Sequence, residues 1–204
     1  MSVNNMLYDF VRIVLTAVFQ CLFRCEVVGR ENIPKQGGVI IAANHLSLWD
    51  PPLAAAFVPR YVHFMAKEEL FKIPIFGYII RKLYSFPVRR GAVDRGAIRT
   101  AITLLNDGHC LGLFPEGTRS KTGMIKKAEP GLALIALKAG VPVIPTAVIG
   151  TNKIMTKGSL FPKLEVRYGK PIQFKSEQTD KATLQQFSQR IMDEVEKLMK
   201  DERA

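Results

Sequence analysis

Polar residues in the first stretch of the chain recur at one spacing. Asn5, Asp9, Arg12, Thr16, Gln20 and Arg24 follow one another at steps of four, three, four, four and four. That spacing lines all six along one narrow stripe of a helix over 5–25. The other positions, among them Leu7, Phe10, Val11, Val14, Leu15, Val18, Phe19, Leu22 and Phe23, are apolar, and no Gly or Pro interrupts them. This apolar arc is wider than the stripe by which a surface helix usually docks on its own core. The pattern predicts a helix sunk into one leaflet of a membrane, its stripe toward the domain or water, ahead of a helix packed only on its own core. A simple span has no need of Arg12 near its middle on an aligned polar face. A secretory signal would carry a basic start and a small-residue cleavage site, and neither is seen.

After Gly29 short apolar runs alternate with amphipathic stretches. Strands are predicted at 38–44, 61–66, 84–89, 109–114, 141–149 and 163–168, and helices at 51–57, 73–83, 93–106, 130–139 and 180–201. Glu129-Pro130 opens one helix and Gly140 closes it, the expected Pro-first, Gly-last asymmetry. In the last helix Leu184, Phe187, Ile191, Val195 and Leu198 form a docking stripe. Such alternation implies an α/β fold with a largely parallel, covered sheet. The expected organisation is an N-terminal amphipathic membrane-seating helix over 1–28 and one α/β domain over 29–204. No later segment reaches the roughly twenty apolar residues that cross a bilayer.

Charge narrows the partners. The 204 residues carry a net +11, with 1–59 neutral, 60–118 at +4, 119–175 at +9 and 176–204 at −2. A basic middle points to anionic partners. No zinc-finger or aromatic RNA-binding signature accompanies it, so no nucleic-acid partner is expected. Cys21, Cys25 and Cys110 form no CxxC pair. They read as reduced thiols, buried or facing lipid, in a cytosolic protein, and no metal site is expected.

Nearly every unusual polar group directly follows a predicted strand. His45, one of three histidines, follows Val39-Ile40-Ile41-Ala42-Ala43 and precedes Asp50-Pro51-Pro52 by five residues. The prolines suit a first helical turn, with Asp50 as its N-cap. His45 and Asp50 then flank one tight turn, where a carboxylate on one imidazole nitrogen leaves the other to take a proton from a hydroxyl. Lys67 follows Tyr61-Val62-His63-Phe64-Met65, Arg89 and Arg90 follow Phe86-Pro87-Val88, and Glu116-Gly117-Thr118-Arg119 follow the run 111–114. In open α/β sheets ligands bind beyond the carboxyl ends of the strands, so these segments converge on one cleft. There Gly117 permits a tight turn, Thr118 offers a hydroxyl and Arg119 a fork for phosphate. Glu116 would orient an arginine or accept a hydrogen bond from a substrate hydroxyl. Read alone, the same segment is also a surface turn held by a Glu–Arg pair. Ser47 is best explained as a turn-stabilising hydroxyl. The segment Ile73-Pro74-Ile75-Phe76-Gly77-Tyr78-Ile79-Ile80 lines an acyl groove, touches lipid or forms a core helix; its pattern fits all three.

Asn44-His45-x-Ser47-x-x-Asp50 with Phe114-Pro115-Glu116-Gly117-Thr118-Arg119 resembles the glycerolipid acyltransferases, above all the bacterial 1-acylglycerol-3-phosphate acyltransferases. The resemblance runs from about 29 to 169, with Val88-Arg89-Arg90 as the second block and Val141-Pro142-Val143-Ile144-Pro145 as the fourth. It implies that His45 deprotonates the acceptor hydroxyl as it attacks an acyl thioester, Asp50 supporting the imidazolium, with no acyl-enzyme and no cofactor. Lys67, Arg89, Arg90, Glu116, Gly117, Thr118 and Arg119 would hold the phosphorylated acceptor. Val143 and Pro145 would line the donor site, though both also read simply as buried strand. Acyl-CoA or acyl-carrier protein is the implied co-substrate, membrane lipid the partner, and the cytoplasmic membrane face the place. An acidic residue is common in this family where Arg89 stands. An arginine pair there is more typical of relatives that acylate glycerol 3-phosphate. The rival of a different class is a basic peripheral-membrane protein that binds phospholipid without turnover, which has no use for a paired His45 and Asp50.

Overall fold

The computed structural model describes residues 5–89, 93–120, 124–156, 160–176 and 179–200. Seven strands form one sheet: β1 (Glu26–Val28), β2 (Val39–Ala43), β3 (Val62–Lys67), β4 (Ser85–Val88), β5 (Cys110–Leu113), β6 (Val143–Ile149) and β7 (Glu165–Tyr168), in the spatial order β1-β7-β6-β2-β5-β3-β4. The five from β6 to β4 are mutually parallel. At the other edge β7 runs antiparallel to β6, and β1 parallel to β7. The fold is thus the α/β class expected, with a mostly parallel sheet. All six predicted strands form, shortened by one or two residues at most ends, with β3 one residue longer at its C-terminal end.

The helices cover both faces. One face packs against α1 (Met6–Cys21) and α2 (Asp50–Ala56), burying Phe19, Phe23, Leu53 and Phe57 against Val39, Ile41, Ile144 and Val148. The other packs against α4 (Arg95–Asn106), α5 (Gly131–Ala139) and α6 (Lys181–Lys200), burying Leu105, Leu132 and Ile191 against Ile40, Leu111 and Val143. Successive residues of β2 thereby serve opposite cores, and all five are buried. That two-sided burial is why the strand reads as an unbroken apolar run. Gly140, at φ +64, ends α5 as the pattern predicts. Asp180 caps α6 by accepting from the Ala182 and Thr183 amides at 2.8 and 3.0 Å.

Two expectations need correction. Strand β1 lies within the stretch assigned to the N-terminal helix: α1 ends at Cys21, and Glu26–Val28 join the sheet edge. Three residues hold too little periodicity to announce a strand. Helix α3 (Pro74–Lys82) is no core helix, because Gly77 is its one buried residue while Ile75, Phe76, Tyr78 and Ile79 are exposed. Gly77 is needed where it sits, since a Cβ there would come within 2.5 Å of the Phe71 carbonyl oxygen.

Four of the six stripe residues, Asn5, Asp9, Arg12 and Thr16, face the protein, while Gln20 stays exposed. Asn5 caps the helix at the Tyr8 amide and donates to the Lys82 carbonyl of α3 at 2.6 Å. Asp9 accepts from the Tyr61 hydroxyl at 2.9 Å, Arg12 donates to the Val58 carbonyl and Thr16 to that of Ala56. Satisfying the stripe inward turns Met6, Phe10, Ile13 and Val14 outward, where they stay exposed. Among the described residues no helix is long and apolar enough to cross a membrane.

Candidate active site

Strand β2 ends at Ala43, and the next two residues are fastened from both sides. Asn44, fully buried, pairs its side-chain amide with the backbone of β6: it donates to the Val148 carbonyl at 2.9 Å and accepts from the Val148 amide at 2.8 Å. This continues the ladder one residue past the strand and fixes the direction in which His45 emerges. His45 donates its backbone N–H to Glu116 Oε1 at 2.7 Å, and its carbonyl accepts from the Ser120 amide at 2.8 Å. The imidazole stacks on Phe114, ring centroids 4.1 Å apart, and Phe114 stacks in turn on Phe64. Phe64 lies over Gly112, where a Cβ would come within 2.1 Å of the ring.

His45 Nδ1 lies 2.9 Å from Asp50 Oδ2. The same oxygen accepts the Leu46 and Ser47 amides at 2.5 and 2.6 Å, and Asp50 has no solvent exposure. The expected pairing is therefore present, although Asp50 is the first residue of α2 and not its N-cap. Its carboxylate points back into the turn that carries His45. With Asp50 accepting from Nδ1–H, Nε2 keeps its lone pair. No hydrogen bond to Nε2 is present among the described residues. The Ser47 hydroxyl accepts from the Trp49 amide at 3.3 Å, a turn contact, as expected. The other histidines sit elsewhere. The rings of His63 and His109 meet at a tilt, centroids 4.8 Å apart, at the opposite end of the sheet, where burial, followed by the neighbouring His109, lowers the pKa of His63 to about 4.

Glu116 differs most from the expectation. Its second oxygen, Oε2, accepts the Lys126 amide at 3.0 Å, so both oxygens bind main chain, and among the described residues it pairs with no arginine. Burial pushes its carboxyl up, while hydrogen bonds from the His45 and Lys126 amides pull the other way. Gly117, at φ +68, makes the turn that only glycine adopts easily. Lys126 closes the loop: its ammonium reaches Thr118 Oγ1 at 3.0 Å and the Arg119 carbonyl at 2.8 Å. In the sequence Lys126 shows only as one more charge in a basic stretch, with nothing to mark it. Arg119 is exposed and makes no ion pair among the described residues.

Residues 24–149 match the Acyltransferase family, a stretch that holds the His45–Asp50 pair and the Glu116 turn. The chain belongs to this family. As an acyltransferase it has close counterparts of known name. It is 31% identical over 170 residues to the 1-acyl-sn-glycerol-3-phosphate acyltransferase of Bacillus subtilis, covering 81% of this chain and 82% of that one. It is 33% identical over 138 residues to the enzyme of the same name from Borreliella burgdorferi, covering 66% of this chain and 55% of that one. The crystal structure of the 1-acyl-sn-glycerophosphate (LPA) acyltransferase PlsC from Thermotoga maritima superposes with a TM-score of 0.73. That pair is 35% identical, and the match covers 97% of this chain and 81% of the other.

The remaining predicted positions of the acyltransferase divide. Lys67 ends β3 and pairs with Glu69 at 3.2 Å. Arg89 donates its amide to Asp94 Oδ2 at 2.9 Å and leaves its side chain 76% exposed beside that carboxylate. Both cations therefore already have acidic neighbours. Arg90 lies outside the described residues. Val143 and Pro145 are buried in β6, where the plain buried-strand reading also puts them. Val143 begins the strand opposite Ile40, packed into the core beneath α5 and α6, whereas His45 stacks with Phe114 on the α1–α2 side. By strand alternation Pro145 shares the Val143 face. A fourth block read along the sequence does not say which face its residues serve. Among the described residues no group of His, Cys, Asp and Glu is arranged to hold a metal.

Proposed function

We propose that this acyltransferase moves a fatty acyl group from an acyl thioester, acyl-CoA or acyl-carrier protein, to the free hydroxyl of 1-acylglycerol 3-phosphate, yielding phosphatidic acid. The observation that carries the reading is the His45–Asp50 pair, 2.9 Å apart, with Nε2 left to accept a proton. The names of the relatives point to the same acceptor.

His45 Nε2 takes the proton of the acceptor hydroxyl as that oxygen attacks the thioester carbonyl. A C–O bond forms, the C–S bond breaks, and the imidazolium returns its proton to the departing thiolate. Asp50 holds the tautomer and opposes the positive charge that develops on the ring. The stack on Phe114 keeps the ring plane from turning. Arg119, exposed beside the Gly117 turn, is the cation left to receive the acceptor phosphate, together with Arg90. Glu116 and Lys126 build the turn and do not meet substrate.

The exposed face of α1 sits in the cytoplasmic leaflet in this reading, so the lysolipid need not leave the bilayer. Three observations support it. Asn5, Asp9, Arg12 and Thr16 of α1 are spent on the protein, α3, tied to Asn5 at Lys82, also exposes Ile75, Phe76 and Tyr78, and Phe19 of α1 touches Trp49 in the turn after His45. Large apolar side chains left exposed in this number mark an interaction site.

The test incubates the protein with 1-acylglycerol 3-phosphate, glycerol 3-phosphate and other lysolipids, each with both donor types, and follows thiol release. Turnover with the first acceptor is expected, lost in His45→Ala and reduced by several orders of magnitude in Asp50→Asn. Turnover with glycerol 3-phosphate alone would overturn the acceptor. A His45→Ala protein retaining a tenth of wild-type turnover would overturn the base.

A further inference from the structure

The Asp50 carboxylate has a second oxygen, and a residue from far along the chain holds it. Oδ1 accepts a 2.5 Å hydrogen bond from the Thr151 hydroxyl, 101 residues later. Thr151 is 1% exposed and opens the short 3-10 turn Thr151–Lys153 after β6, just beyond the stretch that matches the family. Gly150 delivers it. Its φ is +88, and a Cβ there would come within 2.5 Å of the Lys163 carbonyl oxygen, so the chain turns sharply off the strand at a place closed to larger residues.

The three donors on Oδ2, the amides of Leu46 and Ser47 and the His45 ring, all pull on one oxygen. The last torsion of an aspartate is soft, so donors on one oxygen alone leave the carboxylate plane free to tip. A hydroxyl on the other oxygen removes that freedom. Asn44 is tied to Val148 of β6, so the two flanks of His45 hang on the end of β6 and on the turn that follows it.

We propose that Thr151 is a positioning residue for the reaction. Its hydroxyl holds the carboxylate of Asp50 in the plane that presents Oδ2 to His45 Nδ1. This rests on His45 and Asp50 acting as the base and its partner. The contribution falls on the chemical step, because Thr151 is buried behind Asp50 and meets neither substrate. A hydroxyl that merely satisfied a buried oxygen would change stability and leave turnover alone.

The experiment compares Thr151→Ala, Thr151→Val and Thr151→Ser in the full chain, beside His45→Ala and Asp50→Asn, in one vesicle assay. It measures kcat, KM for donor and acceptor, and thermal unfolding. Losing one charge-assisted hydrogen bond predicts a kcat lower by about ten- to a hundredfold in Thr151→Ala and Thr151→Val, with both KM values within about threefold. Thr151→Ser should recover to within about threefold of wild type. Folded Thr151→Ala or Thr151→Val with wild-type kcat would overturn the proposal. So would Thr151→Ser as slow as Thr151→Ala. Should Thr151→Val fail to fold, the Ala and Ser variants, which differ by the hydroxyl alone, decide. If none of the three folds, the role is structural and the proposal falls. Activity surviving in His45→Ala refutes the site itself. An inactive His45→Ala beside fully active Thr151 variants refutes the Thr151 assignment alone.

Discussion

Replacing Glu116 by Gln removes a charge and one acceptor while keeping shape and volume. In the wild-type protein Oε1 accepts the His45 amide at 2.7 Å and Oε2 the Lys126 amide at 3.0 Å, and the residue is buried. A Gln side chain can satisfy one of those amides with its carbonyl oxygen, but its NH2 must then face the other N–H. One charge-assisted bond is lost outright and the survivor loses its charge assistance. At roughly 1.5–3 kcal/mol for a hydrogen bond to a charged group, Glu116→Gln should destabilise by about that amount. For a chain of this length the cost is a drop of about 3–12 °C in thermal midpoint, measurable by circular dichroism or scanning fluorimetry. Activity should fall as well, because the His45 backbone loses the contact that sets where its ring sits. The fall should appear in kcat at a temperature well below the midpoint, with KM for the phosphorylated acceptor within about threefold of wild type. A substrate-binding glutamate behaves in the opposite way: stability hardly changes and acceptor KM rises. A Glu116→Gln protein with wild-type midpoint and raised acceptor KM would refute the anchoring role.

Two further outcomes follow from other parts of the fold. His63 is held neutral by burial and by His109, with its pKa near 4 against an ordinary 6.5. As pH falls below about 6.5 the unfolded chain takes up a proton that the folded chain refuses until about 4, so stability is full above that window and declines through it. Urea unfolding should show a loss of roughly 2 kcal/mol between pH 7 and pH 5 from this group, and His63→Gln should flatten the slope; an unchanged slope would count against it. On α1, Phe10 and Ile13 are 65% and 66% exposed, so Phe10→Asp with Ile13→Asp should leave thermal unfolding nearly unchanged. Co-sedimentation with vesicles and turnover of long-chain lysolipid should drop at least tenfold, with a short-chain soluble acceptor largely spared, because burying each side chain is worth roughly 1.5–3 kcal/mol. Unaltered vesicle binding would show that this face is no membrane seat.

The residues by themselves determined whatever depends on neighbours within a turn or a strand. Short apolar runs and a period near four marked six strands and six helices. The five-residue step from His45 to Asp50 placed imidazole and carboxylate on one turn, and Gly117 marked a backbone reversal, because these relations involve residues whose separation the covalent chain constrains. The stripe from Asn5 to Gln20 likewise showed which side of α1 is polar, since helical geometry alone aligns those positions.

Tertiary structure decided the rest. Glu116 meets the His45 amide across 71 residues and Thr151 meets Asp50 across 101, and nothing local to either pair announces the contact. Both meetings exist because β5 and β6 flank β2, and strand order is set by how two cores pack across a sheet rather than by any one segment. The reversed edge strand β7, the three-residue β1 and the face that Val143 serves depend on that same packing. So does the destination of the α1 stripe, because periodicity groups polar side chains but does not name the carbonyls and hydroxyls that meet them. A sequence displays which groups the chain can bring to a turn; the packing of its strands selects which of them hold the base in place.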